Sequence, residues 1–309
     1  MTAIPQTNVT RGIFLMLSAI TFFTFMSAFI KAAGRVPTGE AMFFRSFMAM
    51  PIILVWLVTH GGIAQGIRTR SVRNHAVRGI VGSCAMGLGF AGLKFLPLPE
   101  VTAIRFVTPI AMVVLAALLL GERFRMVRIA AVMLGFIGVV IIVAPRLSVG
   151  LGSNEALGVG LTLGSACLAA LAQVFVKGMA GRESTTAIVF WFSATATVLS
   201  LLTLPFGWVW PNATELALLV GAGVVGGLGQ ILLTSSYRFA EAGVLAPFTY
   251  ISMLWSVLIG YVWFEEVPTV AMLIGACFVI AAGVIIVLRE RALGDDATAR
   301  RKVKAKGLW

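Results

Sequence analysis

The sequence predicts an all-α integral membrane protein, with ten transmembrane helices as two inverted five-helix repeats. Three observations lead there. Of 309 residues, 59% are hydrophobic and only 12% charged, with a mean hydropathy of +0.99; soluble domains carry about a quarter charged residues. The charges fall mostly between long apolar runs. Landmarks of the first half return in order in the second.

A hydrocarbon crossing takes about 20 mostly apolar residues. Continuous rather than alternating runs call for helices, which satisfy their own backbone groups in lipid. The first window, 12–33, is too long for a signal-peptide core and is expected to be a retained span. The second, 39–59, contains EAMFFRSFMAM with Arg45, and the third, 76–96, follows a basic stretch. The fourth, 99–120, holds EVTAIRFVTPI with Arg105, and the fifth, 126–144, ends in GVVIIV. The sixth, 157–177, ends on Lys177, the seventh is 185–206, and the eighth, 214–236, carries the dense run VGAGVVGGLGQ. The ninth, 244–264, and the tenth, 268–288, precede a basic tail, 289–309.

With the N-terminus cytoplasmic, the inner side receives Arg11; Arg68, Arg70, Arg73 and Arg78; Arg123, Arg125 and Arg128; Lys177 and Arg182; Arg238; and the tail, 18 of the 24 basic residues. The outer side receives Lys31, Arg35, Arg45, Lys94, Arg105 and Arg146. This bias follows the positive-inside rule and places both termini inside. The +12 formal charge does not point to nucleic acid, because a basic groove needs clustered Lys and Arg with exposed aromatics on a soluble fold.

FIKAAGR (29–35) returns as FVKGMAGR (175–182), 146 residues apart at the lysines. Gly121-Glu122 returns at Glu265-Glu266 with a separation of 143 at the first glutamates, and GVVIIV returns as GVIIVL at 145. The expected units are therefore 12–144 and 157–288. Each contains five spans, an odd number, so the second copy enters the membrane from the opposite side. Such inverted repeats permit alternating access.

The ten spans in two repeats, LLLGERF (118–124) and YVWFEEV (261–267) together resemble the EamA-type transporters of the drug/metabolite transporter superfamily, over nearly the whole chain from Gly12 to Leu288. The resemblance implies a bacterial inner-membrane carrier of a small metabolite in the lipid bilayer. Its substrates range over amino acids, riboflavin and S-adenosylmethionine. Riboflavin uptake is favoured, with efflux of amino acids or other metabolites and S-adenosylmethionine uptake as alternatives. A homodimer is compatible with it.

Charges well inside a span are functional hypotheses by default. Arg45 and Arg105 qualify as substrate-binding candidates, against the alternative of an inter-helix bridge such as Glu40 with Arg105. The repeat sets Trp191 opposite Arg45 and Phe248 opposite Arg105. Gln173, Gln230, Tyr237, Tyr250 and Trp255 add polar and aromatic surface, and Lys31 is a secondary candidate near an outer end. A flavin ring has Trp191 or Phe248 to stack on.

His60 and His75 are placed at or within the inner loop, and all twelve acidic residues at ends, loops or the tail. Pro51, Pro109, Pro205 and Pro247 are expected to interrupt helical hydrogen bonding. Gly160 with Gly164 and Gly223 with Gly227 are read as close-packing pairs, and Cys84, Cys167 and Cys277 as packing residues without metal or disulfide spacing. An integral membrane enzyme would ask for clustered Asp, His or Cys at a membrane face. No such cluster and no phosphate loop is present, so neither an enzyme nor a cofactor is expected.

Overall fold

Apolar windows separated by charged or Gly/Pro-containing breaks fold as helices. The computed structural model describes residues 9–59, 62–69, 71–120, 126–147, 154–179, 183–236, 239, 245–285 and 288. Four described helices are long and apolar enough to cross a bilayer in one run: Thr10–Ala32, Thr38–Thr59, Asn154–Val176 and Ala213–Leu233. Shorter apolar helices, Met133–Pro145, Thr186–Leu201, Phe248–Phe264 and Val270–Ile285, fall in the fifth, seventh, ninth and tenth windows. The tail 289–309 lies outside the described residues, as do His60, Tyr237 and the Glu122 turn.

The third helix is Val72–Gly92, four residues earlier than expected. The Ser71 side chain accepts from the Asn74 N–H at its start, satisfying one of the free donors of the first turn. His75, expected at or within the inner loop, therefore rides on the helix, and Arg78, two residues inside the expected window, sits about one turn further in.

The fourth span is broken into Leu98–Arg105 and Val107–Leu120, with Phe106 between. Pro109 has no N–H to offer the Arg105 carbonyl four residues back, which is where the ladder fails. In the ninth span a 3₁₀ segment, Ala246–Tyr250, precedes the α-helix Ile251–Phe264 and contains Pro247. Pro51 does not interrupt its span, since Thr38–Thr59 runs through it. Pro205 sits beyond the seventh helix, in the turn Leu204–Phe206, which closes on Gly207 at φ 90°.

The first span packs on the eighth and ninth, the second on the seventh and eighth, the third on the sixth and seventh, and the fourth on the sixth and ninth. Close approach on the eighth span uses its glycines: a Cβ on Gly227 would press on Ala49 and one on Gly229 on Phe23. Gly160, expected to pack closely, instead faces open space. The central core joins Ile30, Phe90, Leu96, Ile104, Ile259 and Met272. Phe14, Leu118, Leu254 and Val262 point outward, as lipid-facing side chains do. The three cysteines are free and exposed rather than packed inside.

Polar contacts gather the loops at two ends. At one, Lys31 Nζ lies 2.8 Å from Glu266 and donates to the carbonyls of Leu93 (3.2 Å) and Leu96 (2.7 Å). Glu266 also accepts from the Leu98 N–H, capping the fourth span. Arg35 makes a two-pronged contact with Glu215 at 2.8 and 2.7 Å, which raises the pKa of its guanidinium above the usual value. Glu40 accepts from the Val209 N–H at 3.0 Å. At the other end, Glu183 accepts from Thr69 Oγ1 and the Ser71 N–H, and the Arg11 guanidinium lies 4.6 Å from the Phe239 ring.

Candidate functional site

Arg45 projects from the second span into the protein, 5% exposed. Its Nε is buried with no hydrogen-bond partner among the described residues. Its guanidinium carbon lies 5.6 Å from the centre of the Phe192 ring on the seventh span. Arg78, on the third span, lies over the same ring at 4.0 Å, with Nε and Nη1 buried and also unpartnered. One aromatic ring thus carries two cations.

Two glycines make the room. A Cβ on Gly82 would come within 2.9 Å of the Phe192 ring and 3.6 Å of Arg78 Nη1, and one on Gly226 within 3.5 Å of Arg45 Nε. The cluster therefore draws on spans two, three, seven and eight. A guanidinium in the bilayer interior costs roughly 2.5–3.5 kcal/mol even on insertion scales, whereas a cation–π contact returns about 0.5–2 kcal/mol. Phe192 alone does not compensate two such charges, and their mutual repulsion adds to the deficit.

Unsatisfied polar atoms concentrate on the two helices that carry these arginines. Among the described residues, the buried side-chain nitrogens and oxygens without a hydrogen bond belong to Arg45, Ser46, His75, Arg78 and Ser83 on the second and third spans, and otherwise to Trp255 Nε1. His75 Nε2 lies 3.4 Å from Glu183 without hydrogen-bond geometry, near the start of the third span.

A second feature lies where the fourth and ninth spans are interrupted. The Phe106 and Tyr250 rings meet edge-to-face, centroids 5.1 Å apart at 71°. Arg105 is exposed although Val101, Ala103, Ile104 and Phe106 around it are buried. Glu40 is occupied by Val209, so the structure does not form the expected alternative bridge to Arg105. Phe248 packs beside Met16 and Leu245.

The other sequence candidates are scattered. Trp191 donates through Nε1 to the Ile67 carbonyl at 3.0 Å, and it is its neighbour Phe192 that meets Arg45. Gln173 is exposed on the sixth span and Gln230 half-buried on the eighth. Trp255 is half-buried. Tyr237 lies outside the described residues. Lys31 is committed to its junction with Glu266. Sequence reasoning missed Arg78 and Phe192; the Ser71 cap, which starts the helix four residues early and so sets Arg78 about one turn deeper, was the available signal.

The model of the EamA-like transporter family matches residues 10–144 and 156–289. The pseudopaline exporter of Pseudomonas aeruginosa is 29% identical over 275 residues, covering 88% of this chain and 94% of that protein. An S-adenosylmethionine uptake transporter of Rickettsia bellii is 28% identical over 257 residues, covering 83% and 86%. A riboflavin transporter of Rhizobium johnstonii is 27% identical over 289 residues, covering 93% of both. A solved crystal structure superposes with a TM-score of 0.66 at 20% identity, over 91% of this chain and 98% of that one, a likeness of fold.

Proposed function

This chain belongs to the EamA-like transporter family, and from that premise we propose that it is a secondary carrier moving one small metabolite across a bacterial inner membrane by alternating access. In this reading the chain crosses ten times in two inverted repeats, 12–144 and 157–288, with both termini cytoplasmic.

The observation that carries the reading is the meeting of two interrupted helices. Shifted by the repeat, the break at Phe106 falls in the 3₁₀ segment Ala246–Tyr250, and Phe106 and Tyr250 touch. Broken backbone is tolerated in a membrane only inside protein or beside a cavity, so two such helices meeting mark an interior that both halves share. The packing supports the same symmetry. Exchanging each span for its counterpart five places on turns first-on-eighth into sixth-on-third, second-on-eighth into seventh-on-third, and first-on-ninth into sixth-on-fourth. All six contacts are present. The loop contacts support an alternating path, since loops after odd-numbered spans meet at one end and loops after even-numbered spans at the other.

Catalysis has no part in this reading. The relatives' named cargoes set the first trials: riboflavin, which the sequence resemblance favours, S-adenosylmethionine and pseudopaline. Uptake into liposomes containing only the purified protein tests the carrier. Saturation of the initial rate with cargo concentration is expected; flux rising linearly for every compound would make the protein a passive pore.

A further inference from the structure

We propose that Arg45 and Arg78, on the Phe192 ring, form an anion-binding site for the cargo, and that the cargo is a small organic acid bearing a carboxylate or a phosphate. This deepens, and rests on, the carrier reading.

The polar atoms at the cluster are donors seeking acceptors. Arg45 Nε and Arg78 Nε and Nη1 are buried without partners among the described residues, and the buried Ser46 and Ser83 hydroxyls on the same two spans are free to donate. A guanidinium has donors and no acceptor, so two of them on one ring favour an acceptor that also carries negative charge. Elsewhere this chain supplies its cations with carboxylates, Glu266 to Lys31 and Glu215 to Arg35. At Phe192 it supplies a ring and two close-packed glycines instead.

The placement suits cargo rather than scaffold. Arg45 and Arg78 belong to the first repeat, Phe192 and Gly226 to the second, so a bound anion would sit on the seam along which the halves must shift. Arg45 and Phe192 are closed off here, 5% and 8% exposed, while Arg78 is half-buried. An acid bound between the guanidiniums lowers the charge that must cross, whereas neutral riboflavin leaves both uncompensated. Riboflavin 5′-phosphate or the carboxylate of S-adenosylmethionine meets the requirement.

The test uses the purified full chain in detergent, its melting midpoint read with citrate, succinate, inorganic phosphate or riboflavin 5′-phosphate, against neutral succinamide and riboflavin at matched ionic strength. At least one anion is expected to raise the midpoint saturably. Arg45→Gln and Arg78→Gln should each weaken its apparent affinity roughly tenfold or more, and Arg78→Lys should retain part of it. Without ligand, both Gln variants should melt no lower than the wild type, because each removes an uncompensated buried charge. The site is overturned if no anion outperforms its neutral counterpart, if the shift is the same in both variants, or if either Gln variant melts well below wild type without ligand. Saturable uptake of a neutral compound by Arg45→Gln and Arg78→Gln at wild-type rates would also overturn it while leaving the carrier intact; linear flux of every compound overturns the carrier instead.

Discussion

The cations at the ends of the bundle and those inside it are treated in opposite ways. At one end Lys31 and Arg35 have carboxylate partners from the other half of the chain, and Lys31 reaches two backbone carbonyls as well. Inside, Arg45 and Arg78 share an aromatic ring and, among the described residues, no carboxylate. Where water is near, pairing is cheap to arrange and ties loops together; where water is scarce, the chain leaves its costliest charges open. A fold selected only for stability would do the reverse, so the interior arrangement points to a partner that arrives and leaves.

The largest effect that sharpens this contrast is on transport. Arg45→Gln and Arg78→Gln are expected to lower uptake at limiting cargo roughly tenfold or more, about 1.4 kcal/mol or more of lost binding, with no fall in the ligand-free melting midpoint. Equal loss of folded protein and of uptake would place these arginines with the end pairs.

Lys31→Met should act oppositely, by stranding the Glu266 carboxylate and two carbonyls. A loss of about 2–3 kcal/mol of stability is expected, discounted from a fully buried pair because both side chains keep some exposure. Denaturant titration in mixed micelles reads it, and an unchanged midpoint would show the junction to be dispensable.

Glu265 closes the ninth helix at φ 56°, a conformation that costs a residue with a Cβ. Glu265→Gly should gain about 0.5–1 kcal/mol of stability and leave uptake alone; lower stability would mean the carboxylate has a role. The smallest effect is expected at Arg35, whose side chain is 58% exposed. Arg35→Gln should lower the melting midpoint slightly at low salt and not at high salt, and a drop independent of salt would contradict a screened surface pair.

The helices were legible because long apolar runs set off by charged breaks mark them: described helix falls in each window from 12–33 to 268–288. Boundaries were less so. Arg78 reads as a basic residue at the start of the 76–96 window, grouped with Arg68, Arg70 and Arg73 on the inner side, and only the Ser71 cap shows that the helix begins a turn earlier. Arg45 announced itself as a charge in mid-span, but the repeat pairs it with Trp191, one residue from the Phe192 it meets. One residue turns a helix by about 100°, more than repeat alignment resolves. Lys31 and Glu266 lie in opposite halves of the chain, and no local pattern encodes their pairing. That Pro109 breaks its span and Pro51 does not also lay beyond sequence, since tertiary packing decides whether a freed carbonyl is tolerated.

The central claim, that the interior arginines are unpaired because cargo is their partner, is tested most directly by initial uptake rates. Liposomes carrying equal amounts of folded wild type, Arg45→Gln or Arg78→Gln would be offered riboflavin 5′-phosphate, S-adenosylmethionine and riboflavin. The account predicts saturable wild-type uptake of an acid-bearing compound, falling toward the rate of empty liposomes in both variants. Wild-type rates in both variants would contradict it.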